Sequence, residues 1–442
     1  MKTVAFHNLG CKVNDYETDI MQQKFLENGF LVVPFSEKAD IYVINTCTVT
    51  NMADRKSRQM LHKAHKMNPD AIVIATGCYV QTSPEEAMSD EAVNIAIGNN
   101  RKADVVEILN KYIEEQRPEN FGDIIDINHT DVYETMELTD TAERTRAYIK
   151  IQDGCNQFCS YCLIPYARGR VRSRDMDDIL REIENLSRKG YKEFVLTGIH
   201  VSSYQIETPN DLSGNRLAEL LEKIQLIDGV KRIRLSSLEP RVVTKEFVER
   251  ISKLTKLCPH FHLSLQSGSD TTLKRMNRHY TAKQYYNGVQ LLREYFDNPA
   301  ITTDIIAGFP GETDEEFEEC FSLAEKIGFY EMHIFKYSRR KGTVADKLPM
   351  QVKDEVKEAR SHRLIEKGEE LSKAFRESYL TKTRPVLFEE TVKIGQEEYI
   401  MGHTPEYIKV CVKKGAAAEN EIRNVRLERF IKDDILEGII TQ

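Results

Sequence analysis

The stretch Gly154-Cys155-Asn156-Gln157-Phe158-Cys159-Ser160-Tyr161-Cys162 carries three cysteines within eight residues, at C-x3-C-x2-C spacing. Three thiolates so placed hold three corners of a cubane 4Fe–4S cluster and leave the fourth iron open. An open iron beside a bound cofactor is a reaction centre rather than a staple. Structural zinc is the competing reading. It takes four ligands, usually as paired C-x2-C units or with nearby histidine. The sequence near Cys162 offers no fourth cysteine or histidine, so a zinc ligand would have to come from a distance. With iron–sulfur, the open iron can chelate S-adenosylmethionine, and its cleavage to a 5′-deoxyadenosyl radical is chemistry that belongs to the cofactor. Tyr161, before the last cysteine, suits a loop that packs near the adenine.

The triad follows a strand pattern, and the pattern recurs downstream. Strands are expected over 147–152, 193–197, 232–236, 260–265, 301–307 and 331–337, with amphipathic helices such as 176–189 and 314–327 between them. Six such units make a partial (βα)6 barrel, short of the eight that close one. The triad then sits at the carboxyl-end mouth. Later strands end in small or polar residues that would line this mouth, and Ser236, Glu239, Gln266 and Gly308 join Tyr161 as candidate cofactor contacts. Glycine there lets backbone approach a ligand closely, although turn chemistry alone also explains it.

Upstream, residues 1–112 alternate strand and helix as a doubly wound parallel sheet does: strands over 4–7, 41–45 and 71–76, helices over 15–28 and 52–67. Cys11, Cys47 and Cys78 each follow one of the strands, in Leu9-Gly10-Cys11, Asn45-Thr46-Cys47 and Thr76-Gly77-Cys78. Carboxyl ends of parallel strands share one edge, where ligands bind. The three cysteines are therefore expected to converge as a second metal site; any one alone would be an ordinary buried residue. Cys258, Cys320 and Cys411 are isolated and read as small hydrophobes.

Residues 113–145 hold ten Asp/Glu against two Lys/Arg, with Pro118 and Gly122, and read as an acidic linker with one strand over 124–127. Residues 146–371 make the barrel domain. Within 353–380 lies a long charged helix, and 372–442 end in short strands over 385–389, 399–404, 408–412 and 422–431, a small antiparallel barrel. The 442-residue chain has a net charge of -8, so contact with nucleic acid must come from local patches. No signal-peptide pattern and no span-length apolar run occurs. A cytoplasmic protein with no membrane partner is expected, with thiols kept for metal or catalysis.

These motifs together resemble the radical S-adenosylmethionine methylthiotransferases. The resemblance covers almost the whole chain. It rests on both cysteine sets, on Asn8-Leu9-Gly10-Cys11-Lys12-Val13-Asn14, on Leu265-Gln266-Ser267-Gly268-Ser269, on Gly308-Phe309-Pro310-Gly311-Glu312, and on a C-terminal segment similar to the TRAM RNA-binding barrel. It implies that Cys155, Cys159 and Cys162 hold the radical-generating 4Fe–4S cluster, and that Cys11, Cys47 and Cys78 hold an auxiliary one that carries or donates sulfur. It also implies S-adenosylmethionine as both methyl donor and radical source, an electron donor, and a sulfur source. An aromatic C–H has neither useful acidity nor a leaving group, so replacing it by sulfur calls for homolytic chemistry. Three sister groups act on isopentenyladenosine in tRNA, on threonylcarbamoyladenosine in tRNA, or on an aspartate of a ribosomal protein. Arg232-Ile233-Arg234-Leu235-Ser236-Ser237-Leu238-Glu239-Pro240 is most similar to the second, whose target adenosine lies next to the anticodon. Lys336 and Lys341 stand where prolines are common in the family.

Arg168, Arg170, Arg172 and Arg174 alternate beyond the triad. In extended structure all four would share one face and meet RNA phosphate or bases. Arg55, Lys56, Arg58, Lys63 and Lys66 form a second basic surface, and Lys336, Arg339, Arg340 and Lys341 a third. In residues 384–442 acidic and basic side chains nearly balance, so a barrel that grips RNA by charge alone is not what they encode.

Overall fold

A computed structural model describes residues 1–115, 121–139, 145–206, 208 and 212–441. Six parallel strands build the N-terminal sheet: β1 (Thr3–Asn8), β2 (Leu31–Val33), β3 (Ile41–Thr46), β4 (Ile72–Gly77), β5 (Ile95–Ile97) and β6 (Phe121–Asp123). Their order is β2-β1-β3-β4-β5-β6, a doubly wound arrangement. Every residue of β3 is buried, as a strand covered by helices on both faces must be. Helix α1 (Lys12–Glu27) starts from Cys11 as its extended N-cap residue. Helix α2 (Asn51–Met67) is capped by the Thr50 hydroxyl, which accepts from the Ala53 N–H at 3.1 Å. The short helix α3 (Cys78–Thr82) leaves β4 through Gly77 at φ +98°, a left-handed position that suits glycine.

The barrel strands are β7 (Arg146–Asp153), the two-residue β8 (Arg172–Ser173), β9 (Glu193–Gly198), β10 (Arg232–Leu235), β11 (His260–His262), β12 (Ala300–Ala307) and β13 (Glu331–Lys336). One sheet runs β10-β9-β7-β8 and another β11-β12-β13, and parallel bridges Ile233–Leu257 and Leu238–Leu263 join them. Six parallel strands thus curve in chain order from β7 to β13, as the periodicity predicts. β8 is additional: it pairs antiparallel with β7, Gln152 against Ser173 and Asp153 against Arg172. Apolar side chains of these strands and their helices form one core, to which α1 contributes Tyr16 and Ile20. The N-terminal domain is therefore packed onto the barrel rather than tethered beside it.

The acidic segment differs from a plain linker. β6 lies before the expected 124–127 strand, a 3-10 turn covers Ile127–His129, and Met136 and Leu138 are buried in the barrel core. Pro118 lies outside the described residues. The boundary drawn between 371 and 372 falls inside one continuous helix, Asp354–Glu377. Strands β14 (Thr383–Ile394), β15 (Glu397–His403), β16 (Lys409–Lys413), β17 (Ile422–Lys432) and β18 (Ile435–Ile440) then close a barrel in the order β14-β15-β16-β18-β17. It is antiparallel except where β16 meets β18 in parallel, a fifth strand beyond the four read from sequence.

Candidate active site

The triad loop leaves β7 at Gly154, whose φ is +73° and where a Cβ would run into the Arg170 carbonyl. Only glycine fits that turn. Across the mouth the loop is held by the residues around Met276. The Ser160 N–H donates to the Met276 carbonyl at 3.0 Å, the Ser160 hydroxyl to the Arg275 carbonyl at 2.8 Å, and the Asn277 amide to the Phe158 carbonyl at 3.0 Å. The sulfurs collect donors. Gln157 N–H lies 3.5 Å from Cys155 Sγ, Ile164 N–H 3.4 Å from Cys162 Sγ, and the Arg278 guanidinium 3.2 Å from Cys159 Sγ.

The second set converges as the topology predicts. Burial, with Cys78 beside it and Cys11 close by, pushes the Cys47 thiol up to about 12. Cys78 is buried and receives the Arg168 Nε–H at 3.3 Å and the Asn99 amide at 3.7 Å. Burial likewise pushes Cys155 up to about 11. Thiolates in such places are costly alone and become stable when they ligate a cation. Two groups of three thiols, each with N–H···S donors and a guanidinium beside it, fit iron–sulfur clusters by the chemistry of their donor sets.

Arg168 ties the two sites together. It ends the short helix Ile164–Arg168 that follows Cys162, yet its side chain is buried against α1. It donates to Glu17 and, at 2.6 Å, to the Asn14 side-chain oxygen. Glu17 also pairs with Lys102 and, at 2.7 Å, with Lys150, which in turn lies 2.7 Å from Asp153. Although burial opposes it, the Arg168, Lys102 and Lys150 cations hold the Glu17 carboxyl far below the usual range.

This arrangement corrects the reading of the arginine run. Arg168, Arg172 and Arg174 are buried, so they do not share an RNA-facing surface. Arg172 pairs loosely with Asp153 at 3.8 Å, and Arg174 with Glu182. The run is not extended: a helix end, Gly169 at φ +70° and the strand pairing of β8 on β7 turn the side chains inward. Arg170 alone of the four is exposed, its guanidinium 4.5 Å from the Phe158 ring centroid. In the third basic group, Arg340 is buried against Asp54, whereas the basic residues of α2 are exposed.

The remaining candidates ring the mouth. Tyr161 packs edge-on to Phe309 at 6.2 Å. Gln266 takes a left-handed φ of +64° and joins Tyr161, Asp304, Ile306, Val49 and Thr50 around a cavity of about 220 Å³. The buried Ser236 hydroxyl has no hydrogen-bond partner among the described residues. Glu239 accepts from Arg241 Nε at 2.7 Å. At Gly308 a Cβ would collide with Lys357, so the close approach there is to the helix Asp354–Glu377 rather than to the cavity. Sequence reasoning missed His200, which lies beyond β9; burial, with Arg278 and Arg241 near, brings its pKa down to about 3 and keeps it neutral. Arg278 was missed because a lone arginine more than a hundred residues downstream carries no spacing signal.

Residues 149–324 match the radical SAM superfamily, and residues 3–98 match the uncharacterized protein family UPF0004. The threonylcarbamoyladenosine tRNA methylthiotransferase MtaB of Bacillus subtilis is 42% identical over 93% of this chain and 91% of its own. The chain belongs to the radical S-adenosylmethionine tRNA methylthiotransferases. MtaB of Aquifex aeolicus is 39% identical over 90% of this chain and 95% of its own. A tRNA-2-methylthio-N(6)-dimethylallyladenosine synthase of Clostridium botulinum is 35% identical over 89% and 87%. Among solved structures, the radical S-adenosylmethionine methyltransferase TsrM of Kitasatospora setae overlays at a TM-score of 0.59 over 78% of this chain and 77% of its own, at 16% identity, a likeness of fold alone. As a radical SAM methylthiotransferase the chain works with S-adenosylmethionine and 4Fe–4S clusters. Among the described residues no helix is long and apolar enough to cross a membrane.

Proposed function

We propose that this enzyme converts N6-threonylcarbamoyladenosine next to the anticodon of tRNA into its 2-methylthio derivative. Cys155, Cys159 and Cys162 hold the radical-generating cluster, and Cys11, Cys47 and Cys78 the auxiliary one. Bound there, the clusters and S-adenosylmethionine supply the radical, the methyl group and the sulfur. The carrying observation is the shared cavity: Val49 and Thr50 reach it from the loop after Cys47, and Tyr161 from the loop that holds Cys162. A base placed there lies beside the loop that follows Cys47 and the loop that carries Cys162.

The chain's own residues serve binding and exclusion. Val49, Met52, Phe335 and Val344 are exposed large apolar side chains, and Val49 and Phe335 belong to the cavity wall, where unstacked loop bases can pack. Exposed Arg55, Lys56, Arg58, Lys63 and Lys66 of α2, with Arg170, offer positive charge to the phosphates. The Arg278 cation sits beside Cys159 of the triad, and the neutral His200 lies near Arg278 and Arg241. An electron donor and a sulfur source outside the chain complete each turnover, and the tRNA substrate places the enzyme in the cytoplasm.

Nucleosides digested from tRNA of cells with and without this gene, identified by mass spectrometry, test the reading. Loss of 2-methylthio-N6-threonylcarbamoyladenosine with accumulation of its unthiolated parent is the expected result. Loss of the isopentenyl counterpart instead would keep the mechanism and change the substrate. No change in either would turn the search to the ribosomal protein.

A further inference from the structure

The inner face of the barrel carries a polar cluster that neither cysteine set uses. β11, β12 and β13 run parallel in a register that sets His262 beside Thr302 and Asp304 beside His333. Paired residues on neighbouring parallel strands point to the same face. One ligand atom from each of His262, Asp304 and His333 lies within 4.8 Å of the others. His262 is anchored at both ring nitrogens, Nδ1 3.0 Å from Thr302 Oγ1 and Nε2 3.2 Å from Asp304 Oδ2. Its ring stacks on that of His333 at 5.7 Å. His333 lies on the last strand of the barrel and is exposed.

The cluster occupies a junction. Asp304 belongs to the wall of the 220 Å³ cavity that Val49, Thr50 and Tyr161 also line. His333 belongs to the wall of a larger groove, about 1090 Å³, bounded by β13, the helix Asp354–Glu377 and Phe430 of the C-terminal barrel. His260, two residues before His262 on β11, is buried, and burial first and the nearby Arg234 and Lys12 cations next hold its imidazole well below the usual range. A chain that extends from a base in the cavity toward the groove passes these side chains.

The two tRNA substrates of the family differ in what they would present here. An isopentenyl chain is hydrocarbon throughout, and a wall of imidazole and carboxylate set against it loses its hydrogen bonds to water without replacement. A threonylcarbamoyl chain carries a carboxylate, a hydroxyl and a urea N–H, which match imidazole donors and a carboxylate acceptor. We propose that His333, with His262 and Asp304, forms the subsite for the N6-threonylcarbamoyl chain, the His333 N–H donating to its carboxylate and Asp304 accepting from its O–H and N–H groups. The assignment rests on the threonylcarbamoyladenosine reading given above. Sites built to hydrogen-bond a substrate group reject analogues that lack it, so the cluster acts as a specificity determinant as well as a contact.

The test uses the full chain with reconstituted clusters and three anticodon stem-loop RNAs: one with N6-threonylcarbamoyladenosine, one with its neutral carboxamide, and one with isopentenyladenosine. The expected result is that the wild type binds the acid about tenfold tighter than the amide, and that His333→Leu erases this ratio by weakening acid binding. His333→Gln, which keeps an N–H donor, restores part of it. Equal weakening of acid and amide, or an unchanged ratio, overturns the subsite. So does one zinc or manganese ion per chain that is lost in His333→Leu, which makes the cluster a metal centre. If the wild type methylthiolates only the isopentenyl RNA, it is the substrate reading that fails.

Discussion

The two cysteine sites reach similar chemistry by opposite routes. Cys155, Cys159 and Cys162 lie on one loop, and their spacing alone brings the sulfurs together. Cys11, Cys47 and Cys78 lie on three separate connections, after β1, after β3 and after β4, and meet only because those strands are parallel neighbours in the order β1-β3-β4. The first site is local and survives as a motif; the second exists only when a sheet has folded. The second is also the better buried at one corner, Cys78, and draws a guanidinium from the other domain. A loop site can be assembled on any scaffold, whereas a sheet-edge site ties its cluster to the stability of the sheet and to the docking of its neighbour.

The largest expected effects separate the two sites by function. Cys159→Ala removes a ligand proposed for the radical-generating cluster, and S-adenosylmethionine cleavage should fall by more than about 100-fold, because even partners that only support a ligand cost 10–100-fold. Cys47→Ala should keep cleavage and lose sulfur insertion. Measuring 5′-deoxyadenosine and the methylthio nucleoside in the same reaction checks both. A Cys47→Ala protein that still methylthiolates at the wild-type rate would sink the assignment of the second site.

The same contrast explains what the sequence made legible. The six barrel strands and the central N-terminal strands β1, β3 and β4 follow from apolar runs and periodicity, which burial on both faces enforces, whereas β2, β5 and β6, three residues each, are too short to show a pattern. The triad follows from spacing. Convergence of the upstream cysteines needed one further step, the rule that carboxyl ends share an edge. The arginine run failed that kind of reasoning. Alternation predicts a shared face only if the segment stays extended, and Arg168 instead ends a helix whose buried partner, Glu17, lies 151 residues away. No local pattern encodes that pairing. The His262–Asp304–His333 cluster was equally hidden, because it depends on the register of three strands rather than on any spacing within one of them.

The intermediate effect tests whether the two sites are mechanically one. Among the described residues Glu17 is the one carboxylate that pairs with all three of Arg168, Lys102 and Lys150, all buried, while Asp153 reaches Arg168 and Lys150 only. Glu17→Gln would leave these cations short of a countercharge, and removing one member of a buried pair costs roughly 3–5 kcal/mol. Chemical denaturation should show a loss of that size. If the domains are coupled as the packing of α1 on the barrel indicates, the variant should also bind less iron at both sites. Reading iron in two backgrounds, one without Cys155, Cys159 and Cys162 and one without Cys11, Cys47 and Cys78, separates the sites, and a loss at the N-terminal site alone would show that Arg168 serves only one.

The smallest effect belongs to Arg170, the exposed member of the run. Its neighbours Arg168, Arg172 and Arg174 are committed to buried carboxylates, so their loss would confuse binding with folding. Arg170 lies over Phe158 on the surface of the triad loop, where its removal costs little packing. A phosphate contact there releases about one counterion, so Arg170→Ala should weaken tRNA binding a few-fold and reduce the slope of log affinity against log salt by about 0.7–0.9. The slope is the informative quantity. An arginine that only shields the loop would leave it unchanged even if affinity fell, whereas one that meets the anticodon backbone must move it, and that would bring the tRNA alongside the triad loop, whose Tyr161 forms one wall of the cavity that Val49 and Thr50 close from the other side.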